Sequence, residues 1–208
     1  MMFNENLNNI SYNSKFQICF LGDEGSGKTT TLFKMLDKDM PVLPTIGVDY
    51  HTKITKFQNK KIKFNIWDLS GSSRFRLILK NYYNDNDLII LFLDVTRDVI
   101  KSLKYWIKEL KDNLKNDVPL LIVLNKSDMI ESFNYNVIIE LAKDNFSKFD
   151  VIYHNIKIDK YNNDYIEKKI INLLSSNMIE VDLSDKFLPK PKEKREFCLI
   201  SFFKHLLK

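Results

Sequence analysis

The segment from Gly22 to Thr29 constrains the fold of this chain more than any other feature. It reads GDEGSGKT and satisfies the pattern G-x-x-x-x-G-K-[ST]. The apolar run FQICFL ends at its first glycine, and a helix-type pattern follows its lysine. A strand, a glycine-rich loop and a helix in this order direct backbone N–H groups and a helix N-terminus toward an anion. The segment therefore predicts a loop that binds nucleotide phosphates.

The remainder of the chain alternates between strand-type and helix-type patterns. The first strand and helix are expected at 16–21 and 28–36, and a proline-containing loop at 38–47. Alternating segments joined by a polar turn at 58–60 predict a hairpin of two antiparallel strands, 48–57 and 61–68. Further apolar strands are expected at 88–93, 119–124 and 151–158, with helices at 98–114, 134–147 and 163–176.

This alternation predicts an α/β fold with a mostly parallel six-stranded sheet, one antiparallel strand and helices on both faces. Ligands of such sheets bind beyond the carboxyl ends of the strands. We therefore expect the site in four loops, at 22–29, 68–74, 125–128 and 155–157.

Composition excludes several other classes of protein. A chain of 208 residues with 44% hydrophobic content is expected to bury the core of one domain. A net charge of +5 does not by itself argue for nucleic acid, and we expect no nucleic-acid partner. The chain has no apolar stretch long enough to span a membrane and no signal-peptide pattern at its start. Cys19 lies in an apolar run far from Cys198, which favours a reducing, cytoplasmic location.

The sequence Asn125-Lys126-Ser127-Asp128 follows an apolar strand and indicates the base. The Asp128 carboxylate can accept both the N1–H and the N2 amino hydrogens of guanine. Adenine would leave that carboxylate unpaired, a penalty that supports discrimination of about 10⁴-fold. Lys126 would lie along the base, and Asn125 would join this loop to the phosphate loop. In isolation the segment would be an ordinary turn, but beside the phosphate loop it favours guanine.

Two further loops have residues suited to sensing a third phosphate. Asp68 ends a hairpin strand, where it would hold magnesium through water, and the backbone N–H of Gly71 would contact the γ-phosphate. Thr45 lies in the loop after the first helix and would bind magnesium only when GTP is present. Two loops held by one phosphate group are the physical basis of a conformational switch.

With these residues in place, the chain resembles the Ras superfamily of small GTPases, most closely its Rab branch. PTIGVDY, KFNIWDLSG, RFRLILKNYYND and LFLDVT are similar to Rab segments, and the match runs from about Lys15 to Asn177. The resemblance implies a P-loop NTPase G domain at 14–178 that binds GTP or GDP with Mg²⁺ and hydrolyses GTP. It also implies effector proteins, an exchange factor and a GTPase-activating protein as partners, and a role in membrane traffic.

The resemblance also assigns roles to individual residues. Nucleotide contacts would come from Glu24, Gly25, Ser26, Gly27, Lys28, Thr29, Thr30, Asn125, Lys126 and Asp128. The weakly matched guanine loop is best placed at Asn155, Ile156 and Lys157. Magnesium would be held by Thr29, Thr45 and, through water, Asp68. The catalytic residues would be Lys28, Thr45, Gly71 and an atypical Ser72.

Three departures from the family pattern bear on activity. Ser72 stands where the family has the glutamine that orients the attacking water, so intrinsic hydrolysis is expected to be slow. Glu24 replaces a small residue, and its carboxylate would repel the γ-phosphate unless it turns outward. The segment 29–45 is short and its one aromatic residue, Phe33, is expected on the helix, so nucleotide would be held loosely.

These departures leave two alternatives to a Rab-like switch. One is a scaffold that binds GTP permanently or hardly at all, and the other is an Arf-like GTPase, which the short loop and Gly-Lys-Thr-Thr favour. A P-loop kinase is rejected, because the sequence shows no arginine-bearing lid and such an enzyme would not need the guanine motif.

The two ends of the chain differ in character from the domain between them. Residues 1–13 are expected to form a flexible arm, and 179–208 a basic and apolar tail with no C-a-a-X box. A Lys/Arg cluster begins at Lys190 and precedes FCLISFFKHLLK. Two placements are open for 190–208. It would pack on its own domain or a partner, or lie on the cytosolic face of an intracellular membrane with Cys198 acylated.

Overall fold

The computed structural model describes residues 14–39, 41–130, 134–154 and 160–175. Six strands form one sheet: β1 (Ser14–Gly22), β2 (Val48–Phe57), β3 (Lys60–Leu69), β4 (Leu88–Asp94), β5 (Leu120–Asn125) and β6 (Phe149–His154). The described helices are α1 (Lys28–Met35), α2 (Arg76–Leu79), α3 (Val99–Asn113), α4 (Asn136–Lys143) and α5 (Lys160–Ser175).

The sheet has the strand order β2-β3-β1-β4-β5-β6. Only β2 runs antiparallel to its neighbour β3, and every other pairing is parallel. This arrangement confirms the predicted fold class. Because β1, β3, β4 and β5 are parallel, their carboxyl ends meet at one edge of the sheet, where the predicted loops begin.

Helices cover both faces of the sheet, which is why the central strands are apolar without interruption. Along β4, every residue from Leu88 to Asp94 is buried. On one face, alternate strand residues such as Leu91 pack with α3 and α4. On the other face, residues such as Phe20 and Phe92 pack with α1 and α5. A parallel sheet buried in this way shows continuous hydrophobic runs rather than alternation.

The hairpin between β2 and β3 is tighter than predicted. Lys60 already pairs with Phe57, so the turn consists of Gln58 and Asn59 alone. Both residues have left-handed backbones, with φ of 47° and 63°. Two-residue hairpin loops favour such conformations because their twist matches that of the flanking strands. The prediction of a three-residue connection at 58–60 was therefore wrong by one residue.

Three other sequence-based boundaries also change. α4 spans Asn136–Lys143 rather than 134–147, and α5 begins at Lys160 rather than 163. β6 begins at Phe149 rather than 151, because Phe149 already pairs with Leu120 of β5. The predicted continuation of this strand from 155 to 158 lies outside the described residues. A run of short helical turns between Ser73 and Tyr82, including α2, was not predicted. Its exposed Leu77 and Ile78 do not follow the apolar periodicity of a packed helix.

Several predictions lie outside the described residues. These are the arm at 1–13, the guanine loop at 155–157 and the tail at 179–208. None of the helices in the part of the chain that the structure describes has the length and apolarity needed to cross a lipid bilayer.

Replacing Phe92 with alanine tests the core that supports the sheet. Phe92 is fully buried, and its ring centroid lies 5.1 Å from that of Phe20. We expect Phe92→Ala to lower the free energy of unfolding by about 3–5 kcal/mol, because the cavity it leaves refills only partly. Urea denaturation measures this change. Leu77→Ala is the control, since Leu77 is 82% exposed and its loss should cost less than about 0.5 kcal/mol. Equal losses in the two variants would contradict this account of the core.

Candidate nucleotide and magnesium site

The phosphate loop connects the buried end of β1 to the first turn of α1. Gly27 is the residue before the helix, and its φ of 93° places it in the left-handed region that favours glycine. The next residue, Lys28, is buried and turns back across the loop. Its Nζ donates hydrogen bonds to the carbonyl oxygens of Gly22 at 2.8 Å and Asp23 at 2.9 Å. The loop is therefore closed around its own lysine.

Burial lowers the pKa of Lys28 to about 8, although Asp68, Asp23 and Glu24 act in the opposite direction. A buried ammonium group that lacks a full counter-charge is destabilised by desolvation. The anionic phosphates of a nucleotide would supply such a charge. The electrostatics of this loop thus suit an anionic ligand.

Three oxygen-bearing side chains from different parts of the chain converge beside the loop. The hydroxyl oxygens of Thr29 and Thr45 lie 2.9 Å apart. The Thr29 hydroxyl donates to Asp68 Oδ2 at 2.6 Å, and the Thr45 hydroxyl lies 3.3 Å from the same oxygen. The sequence predicts one magnesium site from these three residues, and the structure brings their side chains together.

The same three residues fit a magnesium ion. Mg²⁺ prefers hard oxygen ligands and is usually bound by one or two carboxylates together with substrate phosphates. Asp68 Oδ1 is buried and has no hydrogen-bond partner in the described structure, so a polar group is available for a cation or its water. Burial raises the pKa of Asp68, a shift that a bound cation would oppose. No group of three or more His, Cys, Asp or Glu suited to a metal occurs among the described residues. The candidate is therefore one carboxylate with two hydroxyls.

A cavity of about 320 Å³ lies between the phosphate loop and the segments 42–46 and 70–75. Its lining includes Lys28, Thr29, Thr45 and Ser72. Gly71 lies against the phosphate loop so closely that an added Cβ would be 2.2 Å from the backbone nitrogen of Glu24. Any side chain at position 71 would push the two segments apart. Glu24 itself is exposed at the rim of the cavity.

The predicted base-binding loop is joined to the phosphate loop directly. Asn125 is fully buried, and its Nδ2 donates to the carbonyl oxygen of Ser26 at 2.7 Å. The sequence predicted this connection between the two loops. The next residue, Lys126, has a left-handed backbone, and its Nζ lies 2.6 Å from Asp94 Oδ2. Asp128 is exposed, so its side chain is accessible to a ligand.

Two carboxylates in the site were not singled out from the sequence. Asp23, inside the phosphate loop, accepts hydrogen bonds from the Ser102 hydroxyl and from Trp106 Nε1, and lies 3.5 Å from Arg76. It thereby ties the loop to α3 and α2. Its position among the variable residues of the phosphate motif gave no separate signal of this role.

Asp94 ends β4 and is the second of these carboxylates. It accepts hydrogen bonds from Thr96 and from Lys126 of the base loop. Burial raises the pKa of Asp94, but the hydrogen bonds from Lys126 and Thr96 outweigh burial and hold it below its ordinary value. A polar residue at the carboxyl end of an apolar strand was the available sequence signal.

Fold and site together define a P-loop NTPase domain. A sequence profile described as Roc, "Ras of Complex, Roc, domain of DAPkinase", matches residues 17–128. The chain belongs to the Ras superfamily of small GTPases, in its Rab branch.

Individual relatives support this assignment. The chain is 34% identical over 120 residues to human "Ras-related protein Rab-22A", an alignment that covers 56% of this chain and 62% of that protein. It is 38% identical over 125 residues to "Ras-related protein SEC4" of Saccharomyces cerevisiae, covering 59% and 58%. It is 34% identical over 139 residues to "GTP-binding protein ypt1" of Schizosaccharomyces pombe, covering 64% and 68%. The alignments to the first two thus span about six tenths of each relative.

The burial of His154 predicts that the free energy of unfolding depends on pH. It is buried beneath the base loop, its carbonyl accepts from Ser127, and burial lowers its imidazole pKa to about 4. In the unfolded chain, the imidazole of His154 has the ordinary histidine pKa of about 6.5. The stability contributed by the neutral imidazole is therefore complete above pH 6.5 and is lost as the pH falls toward 4. We expect wild type to lose about 2 kcal/mol more than His154→Gln between pH 7.5 and pH 5.

Urea denaturation at the two pH values measures this difference. The subtraction between wild type and His154→Gln removes the contribution of every other titrating group that the substitution leaves unchanged. The same pH slope in both proteins would show that His154 is not held neutral by burial.

Proposed function

We propose that this protein is a Rab-like molecular switch that binds GTP or GDP with Mg²⁺ and recruits effector proteins in membrane traffic. The observation that carries the proposal is the convergence of Lys28, Thr29 and Thr45 on one cavity, with Asp68 in contact with both threonine hydroxyls. These residues come from three separate segments, and each has the chemistry that a magnesium nucleotide needs.

In this proposal each group has one task. Lys28 and the backbone N–H groups from Glu24 to Thr30 hold the phosphates. Thr29 and Thr45 bind magnesium, with Asp68 behind a water, and the ion would neutralise charge that develops on the phosphates. Asp128 and Lys126 bind guanine, while Asn125 keeps the base loop against Ser26. The residues Asn155, Ile156 and Lys157 complete the base site in this proposal and lie outside the described structure.

Effector recruitment is supported by the distribution of exposed apolar side chains. Among the described residues, every exposed large hydrophobic side chain except Met129 lies in segment 42–50 or in α2. Leu43, Ile46 and Leu77 are each more than three-quarters exposed. Exposed apolar patches mark interaction sites. These segments flank the cavity, so their arrangement would depend on the nucleotide.

The remaining partners follow from the family and the tail. We propose an exchange factor and a GTPase-activating protein as further partners, and no nucleic acid. Segment 190–208 would give peripheral contact with the cytosolic face of an intracellular membrane, or pack against the domain or a partner. Its basic cluster and apolar residues support both placements, and a cytoplasmic location fits either.

A scaffold without turnover is the second candidate function. The observation that favours it is Ser72, which lines the cavity where the family places glutamine. Its serine side chain is too short to orient the attacking water. An Arf-like protein is less well supported, because the relatives reported above are Rab proteins.

The nucleotide content of the purified protein tests the proposal. We expect guanine nucleotide, mainly GTP, to be released when protein purified with magnesium is denatured and analysed by chromatography. Mainly GDP would show that hydrolysis proceeds without glutamine, and the role given to Ser72 would be wrong. If no nucleotide is released, titration with labelled GTP decides: binding supports a rapidly exchanging switch, and its absence supports the scaffold.

Restoring glutamine tests the cause of slow hydrolysis. We expect Ser72→Gln to raise the single-turnover rate of GTP cleavage by at least about tenfold, because a glutamine can orient the attacking water. The matched control is Ser73→Gln, which places the same side chain one residue further along the turn. An equal rate in Ser72→Gln and Ser73→Gln would show that position 72 does not limit hydrolysis.

A further inference from the structure

Arg97, in the turn after β4, joins two parts of the site and has no task in the function proposed above. Its NH1 donates to the carbonyl oxygen of Glu24 in the phosphate loop at 2.9 Å. Its Nε lies 3.3 Å from Asp94 Oδ2. The guanidinium group thus spans a carboxylate at the end of β4 and a single peptide of the phosphate loop.

The orientation of the Glu24–Gly25 peptide shows which face of the phosphate loop Arg97 contacts. The Glu24 carbonyl and the Gly25 N–H belong to one trans peptide, so they point in opposite directions. Gly25 lines the cavity, whereas Arg97 is not part of its lining. Arg97 therefore contacts the loop from outside this cavity, and the N–H of Gly25, on the opposite side of the peptide, points away from the guanidinium.

The charge on Arg97 strengthens this effect. A cation that donates to a carbonyl polarises the peptide and makes its N–H a stronger hydrogen-bond donor.

The guanidinium is held in place by its neighbours. Gly25 leaves room for it, since a Cβ added at Gly25 would lie 3.3 Å from NH2 of Arg97. Asp94 orients the guanidinium and at the same time holds Lys126 of the base loop at 2.6 Å. One carboxylate therefore positions a cation on each half of the site.

We propose that Arg97 is a positioning residue that acts through the Glu24–Gly25 peptide to strengthen binding of the β- and γ-phosphates of a guanine nucleotide. This inference rests on the function proposed above. It predicts a selective effect, because Gly25 lies in the part of the loop before Lys28, whereas in the proposed site the α-phosphate would lie beside Thr29 and Thr30 at the start of α1. The affinity for guanosine monophosphate (GMP), which lacks the β- and γ-phosphates, should therefore not depend on Arg97.

Competition binding of GDP, GTP and GMP to the full chain in the presence of magnesium tests the inference. We expect Arg97→Ala to weaken GDP and GTP binding by about fivefold, since the side chain is 59% exposed and solvent reduces a charged hydrogen bond. GMP binding should change by less than about twofold. Arg97→Lys retains a cation and should recover part of the lost affinity. Lys101→Ala is the matched control, because it removes one exposed charge nearby on α3 and should leave all three affinities unchanged.

Three results would overturn the inference. Unchanged GDP and GTP affinities in Arg97→Ala would show that the peptide does not need the cation. Equal weakening of GMP and GDP would show a general structural role instead of an effect on the terminal phosphates. A wild-type chain that binds no guanine nucleotide would refute the proposed function itself, and the inference with it. If the wild-type chain binds GDP and GTP and Arg97→Ala binds them equally well, only the inference about Arg97 is refuted.

Discussion

The hydrogen bond from Asn125 to the Ser26 carbonyl is the contact on which the candidate site depends. It is buried, 2.7 Å long, and joins residues 99 positions apart in the sequence. A buried amide without such a partner would cost about 1–3 kcal/mol, so the bond strongly favours one relative position of the two loops. The parallel sheet brings the two loops to the same edge, and this bond holds the predicted base loop against the phosphate loop.

Two carboxylates, Asp23 and Asp94, connect the phosphate loop and the base loop to neighbouring parts of the structure. Asp23 connects the phosphate loop to Ser102 and Trp106 of α3 and to Arg76 of α2, whose guanidinium lies 4.3 Å from the ring centroid of Tyr105. Asp94 connects the base loop to the turn after β4. Movement of the phosphate loop would therefore disturb its contacts with α2 and α3, and movement of the base loop would disturb the Lys126–Asp94 ion pair.

Much of the fold could be predicted because its signals are local and periodic. The uninterrupted apolar run of β4 indicated a strand buried on both faces, and Gly22 to Thr29 indicated a loop that binds phosphates. The turns between Ser73 and Tyr82 were missed, because their exposed leucine and isoleucine follow no helical period. The start of β6 was placed at 151 instead of Phe149, because pairing with Leu120 of β5, rather than the composition of β6, determines where the strand begins.

The sequence by itself determined the class of chemistry: the phosphate motif, the guanine motif and the oxygen-bearing residues Thr45 and Asp68 are visible as residue types at defined spacings. Only the tertiary structure decided how these groups act together. It placed the hydroxyls of Thr29 and Thr45 within 2.9 Å of each other, left Asp68 Oδ1 buried without a partner in the described structure, and set Arg97 against the phosphate loop. The physical reason is that hydrogen bonds and ion pairs act over a few ångströms of space, whereas a motif records only distance along the chain.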